Sequence, residues 1–298
     1  MKKYSILKKA TALLLAAALT AGLAACGSSS GAGDGSSAST ADLNNYSADD
    51  PVTVKVGLTA AIYEDIWDPI KEELAGEGID IEYVQFSDYS MPNEALVSGE
   101  IDMTAQQHHA YMENQIKEEN WGDAIEPIAD TFIIAMNLYS DKIKDVSELK
   151  DGDTIALPND LSNEGRALKL LQSAGIIELD PDAGKNPEKK DITKYNVQIE
   201  LKEVNSSDTV SLLPDVTAAV INGNFALDAG IDPDEEAVFE ETEYSDDSYF
   251  CVLGARKDDA DSKAFKRITE AFQSDGTKKI FKDELKGYFK PAWEYKFN

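Results

Sequence analysis

The stretch from Val52 to Phe86, VTVKVGLTAAIYEDIWDPIKEELAGEGIDIEYVQF, changes its hydrophobic period twice, and those changes decide the fold class. Val52, Val54 and Val56 alternate with Thr53 and Lys55, the two-residue period of a strand with one buried face. From Ile62 the apolar residues recur at helical spacing, through Ile66, Trp67, Ile70 and Leu74, until Gly76 and Gly78 interrupt them. Ile79 to Phe86 then reads as a second strand. The same grammar continues downstream. Strands are predicted at 99–105, 133–139, 154–157, 197–203 and 218–221, and helices at 92–97, 163–174, 209–213, 262–273 and 277–283. Such alternation predicts an α/β fold whose strand ends carry the functional loops. No tandem repeat of solenoid length is visible.

Upstream of this core, Lys2, Lys3, Lys8 and Lys9 precede an unbroken run of apolar and small residues from Ala10 to Ala25, the pattern of an export signal. The run is shorter than the roughly 20 residues that span a bilayer, and Gly and Ser follow it rather than a charged flank. Residues 1–25 are therefore expected to be removed. Leu23, Ala24, Ala25, Cys26 and Gly27 resemble the bacterial lipobox, in which the cysteine is acylated and becomes the new N-terminus. Cys26 is thus the expected lipidation site, placing the chain on the cell membrane facing out of the cytoplasm. More than one acyl chain is needed for a stable anchor. Residues 26–50 are rich in Gly, Ser, Ala, Thr and Asp and read as a flexible tether.

The formal charge is -28, and removal of the signal with its four lysines and no acid makes it -32. That balance argues against nucleic acid, whose phosphates need clustered Lys and Arg. Cys251 is the only other cysteine, so the mature domain has no internal disulfide and depends on its core. About 250 residues follow the tether, enough for one large or two medium domains. The expected partition is two lobes, 51–134 with 240–298 and 135–239, with the chain crossing near Phe132 to Ala135 and near Val238 to Tyr244. The acidic clusters Asp232 to Glu236 and Glu240 to Asp247 lack the spacing and central glycine of a calcium loop and read as solvated faces.

Several runs carry a family signature: Phe86 to Tyr89; Gly99 to Asp102; Gln107 and His108 with Tyr111; Ile155 to Asp160 continuing from Ser162 to Ala167; and Val220 to Leu227. In order and spacing they resemble the methionine-binding lipoprotein family, the substrate-binding components of methionine-type ABC importers (NlpA-like lipoproteins). The resemblance implies a two-lobed periplasmic-binding-protein fold, type II-like, that traps its ligand in the cleft by hinge closure. It implies an amino-acid ligand, methionine or a related amino acid or short peptide, with an ABC permease and its ATPase as partners and no cofactor.

The residues suit such a ligand. Arg166 can offer its guanidinium to a carboxylate near a helix start, where amide dipoles also favour an anion. Asn163, three positions earlier, shares its helical face. The alternative is a surface Arg166 and an N-capping Asn163. Asn222 and, less strongly, Asn224 resemble family contacts to the ligand backbone, although Asn, Gly, Asn after a strand also suits a turn with positive φ. Tyr89, His108 and Tyr111 would cover the ligand side chain, with ordinary packing as the alternative for the tyrosines. The family carries aromatics where this chain has Ala105 and Gln106. Gln106 is a candidate contact in their place, and Tyr63 or Trp67 can supply replacement aromatic surface.

Two other functions have residues to draw on. A zinc-type receptor would use His108 and His109, but adjacent histidines do not readily face one ion, and no third histidine or cysteine pair exists. A hydrolase would need more than Ser147 to Lys150, which has an acyl-serine spacing but reads as a surface turn; phosphate loop, zinc-protease helix and nucleophile elbow are absent from the sequence. The chain is not expected to be an enzyme or to hold a metal.

Overall fold

The computed structural model describes residues 42–297; the export signal, Cys26 and most of the expected tether lie outside the described residues. Along the chain the strands are β1 (Val52–Leu58), β2 (Ile79–Gln85), β3 (Met103–His108), β4 (Ile125–Asp130), β5 (Phe132–Ile134), β6 (Met136–Tyr139) and β7 (Thr154–Pro158). They continue with β8 (Ile177–Leu179), β9 (Ile192–Tyr195), β10 (Glu200–Val204), β11 (Ala218–Asn222), β12 (Ala237–Phe239), β13 (Cys251–Arg256) and β14 (Phe289–Pro291). The helices are α1 (Ile62–Ala75), α2 (Met91–Ser98), α3 (His109–Glu118), α4 (Leu161–Ser173), α5 (Thr209–Leu212), α6 (Gly223–Asp228), α7 (Pro233–Glu236), α8 (Lys263–Phe272) and α9 (Asp275–Asp283).

Two five-stranded sheets share one plan. The first has the order β2-β1-β3-β13-β4 and the second β10-β7-β11-β6-β12. In each, the first three strands are parallel and the fourth runs against its neighbours on both sides. Each sheet has its own apolar core. Val54, Val56 and Leu58 of β1 meet Ile66, Trp67 and Leu74 of α1 and Phe265 and Phe272 of α8. In the second half, Ile155 and Leu157 of β7 meet Leu168 and Leu171 of α4 and Val220 of β11. The fold is the α/β arrangement expected.

Where the local reading misses, tertiary contacts explain it. The single strand expected at 133–139 is two, because Ala135 lies between β5, which pairs with β14, and β6, which belongs to the second sheet. The strand expected at 99–105 starts later: Gly99 adopts φ 81° at the end of α2, and the amides of Gly99 and Glu100 still bond back to Leu96 and Ala95. The end of the expected tether is also packed. Leu43 is buried in the first core, its carbonyl accepts from Ala264, and Tyr46 lies against the same cluster. Two large side chains within a small-residue run are enough to dock it. Gly78 accommodates this segment, with φ 90° and the Ser47 carbonyl only 2.2 Å from where a Cβ would stand.

Candidate functional site

The C-terminal ends of β3, β7 and β11 each run into a helix, and those junctions face one cleft between the sheets. It encloses about 370 Å³ of atom-free space, its mouth included. All the residues singled out from sequence line it: Arg166, Asn163, Asn222, Tyr89, His108, Tyr111, Gln106 and Asn224. Tyr63 also lines it, whereas Trp67 packs in the first core with its ring 5.2 Å from Phe272. Asn163 and Arg166 are nine-tenths buried or more, which removes the surface-charge alternative, and the helix cap is Asp160 rather than Asn163.

Asp160 orients the polar end of the cleft. Its carboxylate accepts from Ser162 Oγ at 2.8 Å, the Asn163 amide at 2.9 Å, and Asn163 Nδ2 at 2.9 and 3.0 Å. An ionised carboxylate only accepts, so the Asn163 nitrogen must face it and Asn163 Oδ1 must point into the cleft. That oxygen accepts from Asn222 Nδ2 at 2.9 Å and lies 3.2 Å from His108 Nε2. His108 therefore carries its proton on Nε2, leaving Nδ1 to accept from the Tyr111 amide at 3.1 Å as the N-cap of α3. Burial, then the Arg166 charge, lower the His108 pKa to about 3, so the ring is neutral. With its nitrogen engaged, Asn222 keeps Oδ1 buried and without a protein partner among the described residues.

Asn222, Gly223 and Asn224 form a helix start rather than a turn. Asn222 has φ -61° and caps α6, and Gly223 does not take positive φ. Glycine is needed there for proximity: a Cβ would meet the Ala135 carbonyl and Ile134 Cγ1 at 2.5 Å.

The Arg166 fork faces a protein carboxylate. Nε donates to Glu241 Oε1 at 2.8 Å, and Nη2 donates to Glu241 Oε2 at 2.5 Å and to the Ile134 carbonyl at 2.8 Å. Nη1 has no protein partner among the described residues, and the Tyr249 ring covers the guanidinium at 4.7 Å. Burial opposes its charge, but Glu241, through charge and hydrogen bonds, raises its pKa. Glu241 thus leaves the solvated face expected for residues 240–247, its side chain being 11% exposed. A run of acids in sequence gives no sign that one of them turns inward.

The other end of the cleft is aromatic and amide-rich. Tyr89 donates to Asn224 Oδ1 at 2.6 Å, and Tyr111 donates to the Tyr89 carbonyl at 2.9 Å. Cys251, paired with His108 across the β13–β3 ladder, lines the same space, and burial pushes its thiol up to about 12. Sequence reading gave no role to Cys251, Asp160 or Glu241.

The rival sites do not assemble. His108 reaches Asn163 while His109 Nε2 reaches Asp130 at 2.7 Å, so the two rings serve different partners. Among the described residues no three His, Cys, Asp or Glu side chains come together as metal ligands. Ser147 and Lys150 are both exposed, and the Ser147 amide donates to Asp145 in a short helical turn. No helix among the described residues is long and apolar enough to cross a membrane.

Comparison with known proteins gives a consistent neighbourhood. The family model described as NlpA lipoprotein matches residues 54–293. The chain is similar to the probable D-methionine-binding lipoprotein MetQ of Pasteurella multocida, 35% identical over 237 residues that cover 80% of this chain and 82% of that protein. Among solved structures it is similar to protein PG110 from Staphylococcus aureus, with TM-score 0.77, 37% identity, and coverage of 80% of this chain and 93% of that one. It is also similar to a nutrient binding protein from Burkholderia cenocepacia bound to methionine, with TM-score 0.74, 33% identity, and coverage of 80% and 99%.

Proposed function

Because the chain belongs to the NlpA lipoprotein family, we propose that it is the extracytoplasmic solute-binding component of an ABC importer, capturing methionine or a related amino acid. The observation that carries this reading is the pairing, in one closed cleft, of a cation edge with an orphaned acceptor. Arg166 Nη1 suits a ligand carboxylate, and Asn222 Oδ1 suits an ammonium, together the negative image of an α-amino-acid zwitterion. The methionine held by the Burkholderia relative supports the ligand class. Tyr89, Tyr111 and the neutral His108 would cover the side chain.

In this reading, 51–134 with 240–298 forms one lobe and 135–239 the other, hinged near Ala135 and Glu241. The ligand selects the closed state through its greater affinity for it, and the closed surface is what the permease reads, its ATPase driving uptake from the other side of the membrane. Lipid on Cys26 would hold the protein at the outer face of the membrane. The site performs binding and no turnover.

Calorimetry on protein refolded to strip bound amino acids tests this with L-methionine, D-methionine and the remaining amino acids. Arg166→Ala alone strands a buried Glu241, so the decisive variant removes both charges, Arg166→Ala with Glu241→Ala. Its affinity for L-methionine should fall at least tenfold, about 1.4 kcal/mol. An unchanged affinity, or no amino acid bound by the parent protein, overturns the reading.

A further inference from the structure

We propose that Gln106 makes this cleft select an amino acid whose side chain carries an uncharged hydrogen-bond acceptor, a terminal carboxamide such as that of glutamine, over a purely apolar or thioether side chain. The proposal rests on the amino-acid-binding reading above and names the side-chain class within it.

Gln106 sits on a β-bulge. Thr104 pairs with Gly254 and Gln107 with Val252, so Ala105 and Gln106 together oppose the single residue Leu253. Bulges re-aim side chains beside functional sites. Gln106 Oε1 accepts from the Ala105 amide at 3.1 Å. A backbone N–H can only donate, so the carboxamide cannot be turned round, and Nε2 is the group left free. Gln106 is 4% exposed and lines the cleft, and its Nε2 has no protein partner among the described residues. Gln107 next to it behaves differently. Its amide exchanges bonds of 2.6 and 2.7 Å with Asn93 and donates to Thr104 Oγ1 at 2.9 Å, which accounts for it as structure.

A second orphan lies in the same cleft. Asn224 accepts from Tyr89 through Oδ1 and leaves Nδ2 buried without a partner. Both of these free groups are donors, whereas the free group of Asn222 is an acceptor. A ligand that offers only methylenes and a thioether leaves a buried donor desolvated and unpaired, which is costly, whereas a side-chain carbonyl satisfies it. A charged side-chain carboxylate fits less well, since among the described residues Arg166 is the one cation lining the cleft and already pairs with Glu241.

The test is a calorimetric comparison of L-glutamine, L-methionine and L-norleucine on the refolded full chain. L-glutamine should bind at least tenfold more tightly than L-methionine, and L-norleucine no better than methionine. Gln106→Leu, which keeps the bulk and removes the donor, should abolish that preference, bringing the ratio of glutamine to methionine affinity to one or below. The wild-type ratio needs no variant, so it stands even if Gln106→Leu folds poorly. Methionine binding as tightly as glutamine or more so, or a ratio untouched by Gln106→Leu, overturns the inference while leaving the amino-acid reading intact. Failure of every amino acid to bind overturns both.

Discussion

At the scale of single residues, the Asp160 carboxylate sets the orientation of Asn163, and through it those of His108 and Asn222. The two histidines should titrate in opposite directions. His108, buried beside Arg166, has its pKa lowered to about 3, so the unfolded chain binds more protons below its ordinary value of 6.5. This residue's contribution to stability is full above pH 6.5 and is lost as pH falls toward 3, at up to about 1.4 kcal/mol per pH unit. For His109 the Asp130 hydrogen bond raises the pKa. Its stabilisation is full below pH 6.5 and disappears as pH rises through the raised value. Two-dimensional NMR of the imidazole carbons checks this: one ring should stay neutral down to pH 4 and the other should titrate above 6.5. Glu241→Gln gives a further expectation. Losing the carboxylate leaves the Arg166 charge unneutralised, so affinity for L-methionine should rise severalfold in calorimetry, and a fall would show that Glu241 serves the ligand by geometry instead. Arg166 and Asn163 stood out in sequence through the family resemblance of the run from Ser162 to Ala167, to which three-residue helical spacing adds only a shared face. Glu241 did not, since its burial comes from pairing with Arg166, a partner remote in sequence that no local pattern records.

At the scale of elements, the opening strand, helix and strand were legible because each buries one regular face over many residues. Short strands such as β5, β12 and β14, three residues each, offer no period to detect. β13 escaped notice for a different reason: its residues from Cys251 to Ala255 are all buried, so the alternation that marks a half-exposed strand is missing. The bulge at Ala105 and Gln106 is likewise a property of pairing with β13 and not of β3 alone. Gly223 is where an element meets the crossover most tightly. Gly223→Ala should destabilise the fold by about 1–3 kcal/mol through overpacking against Ala135 and Ile134, read as a lower urea midpoint at constant slope. A neutral result would mean that α6 can shift away from the crossover, and the cleft would then be less preorganised than its contacts indicate.

At the scale of the whole molecule, two separate apolar cores meet across a cleft bridged by polar contacts, His108 to Asn163 and Tyr89 to Asn224 among them. Each core holds its own sheet, while the contacts between them leave orphaned groups that only a third party completes. Ligand binding should therefore stabilise the folded chain by an amount that rises with ligand concentration. A ligand at one hundred times its Kd adds about 2.7 kcal/mol. One kcal/mol moves Tm by about 2–4 °C in a domain of this size, so saturating ligand should raise Tm by about 5–10 °C. The signal distinguishes occupancy of the cleft from surface association, because at the same ligand concentration a tenfold weaker Arg166→Ala, Glu241→Ala variant should show about half of it or less, about 1.4 kcal/mol, even when that variant's own Tm is unchanged. It should also grow logarithmically with ligand concentration beyond saturation, the behaviour of a ligand that binds only the folded state. A Tm shift of the same size in the double variant would place the binding outside the cleft and separate the fold's architecture from its use.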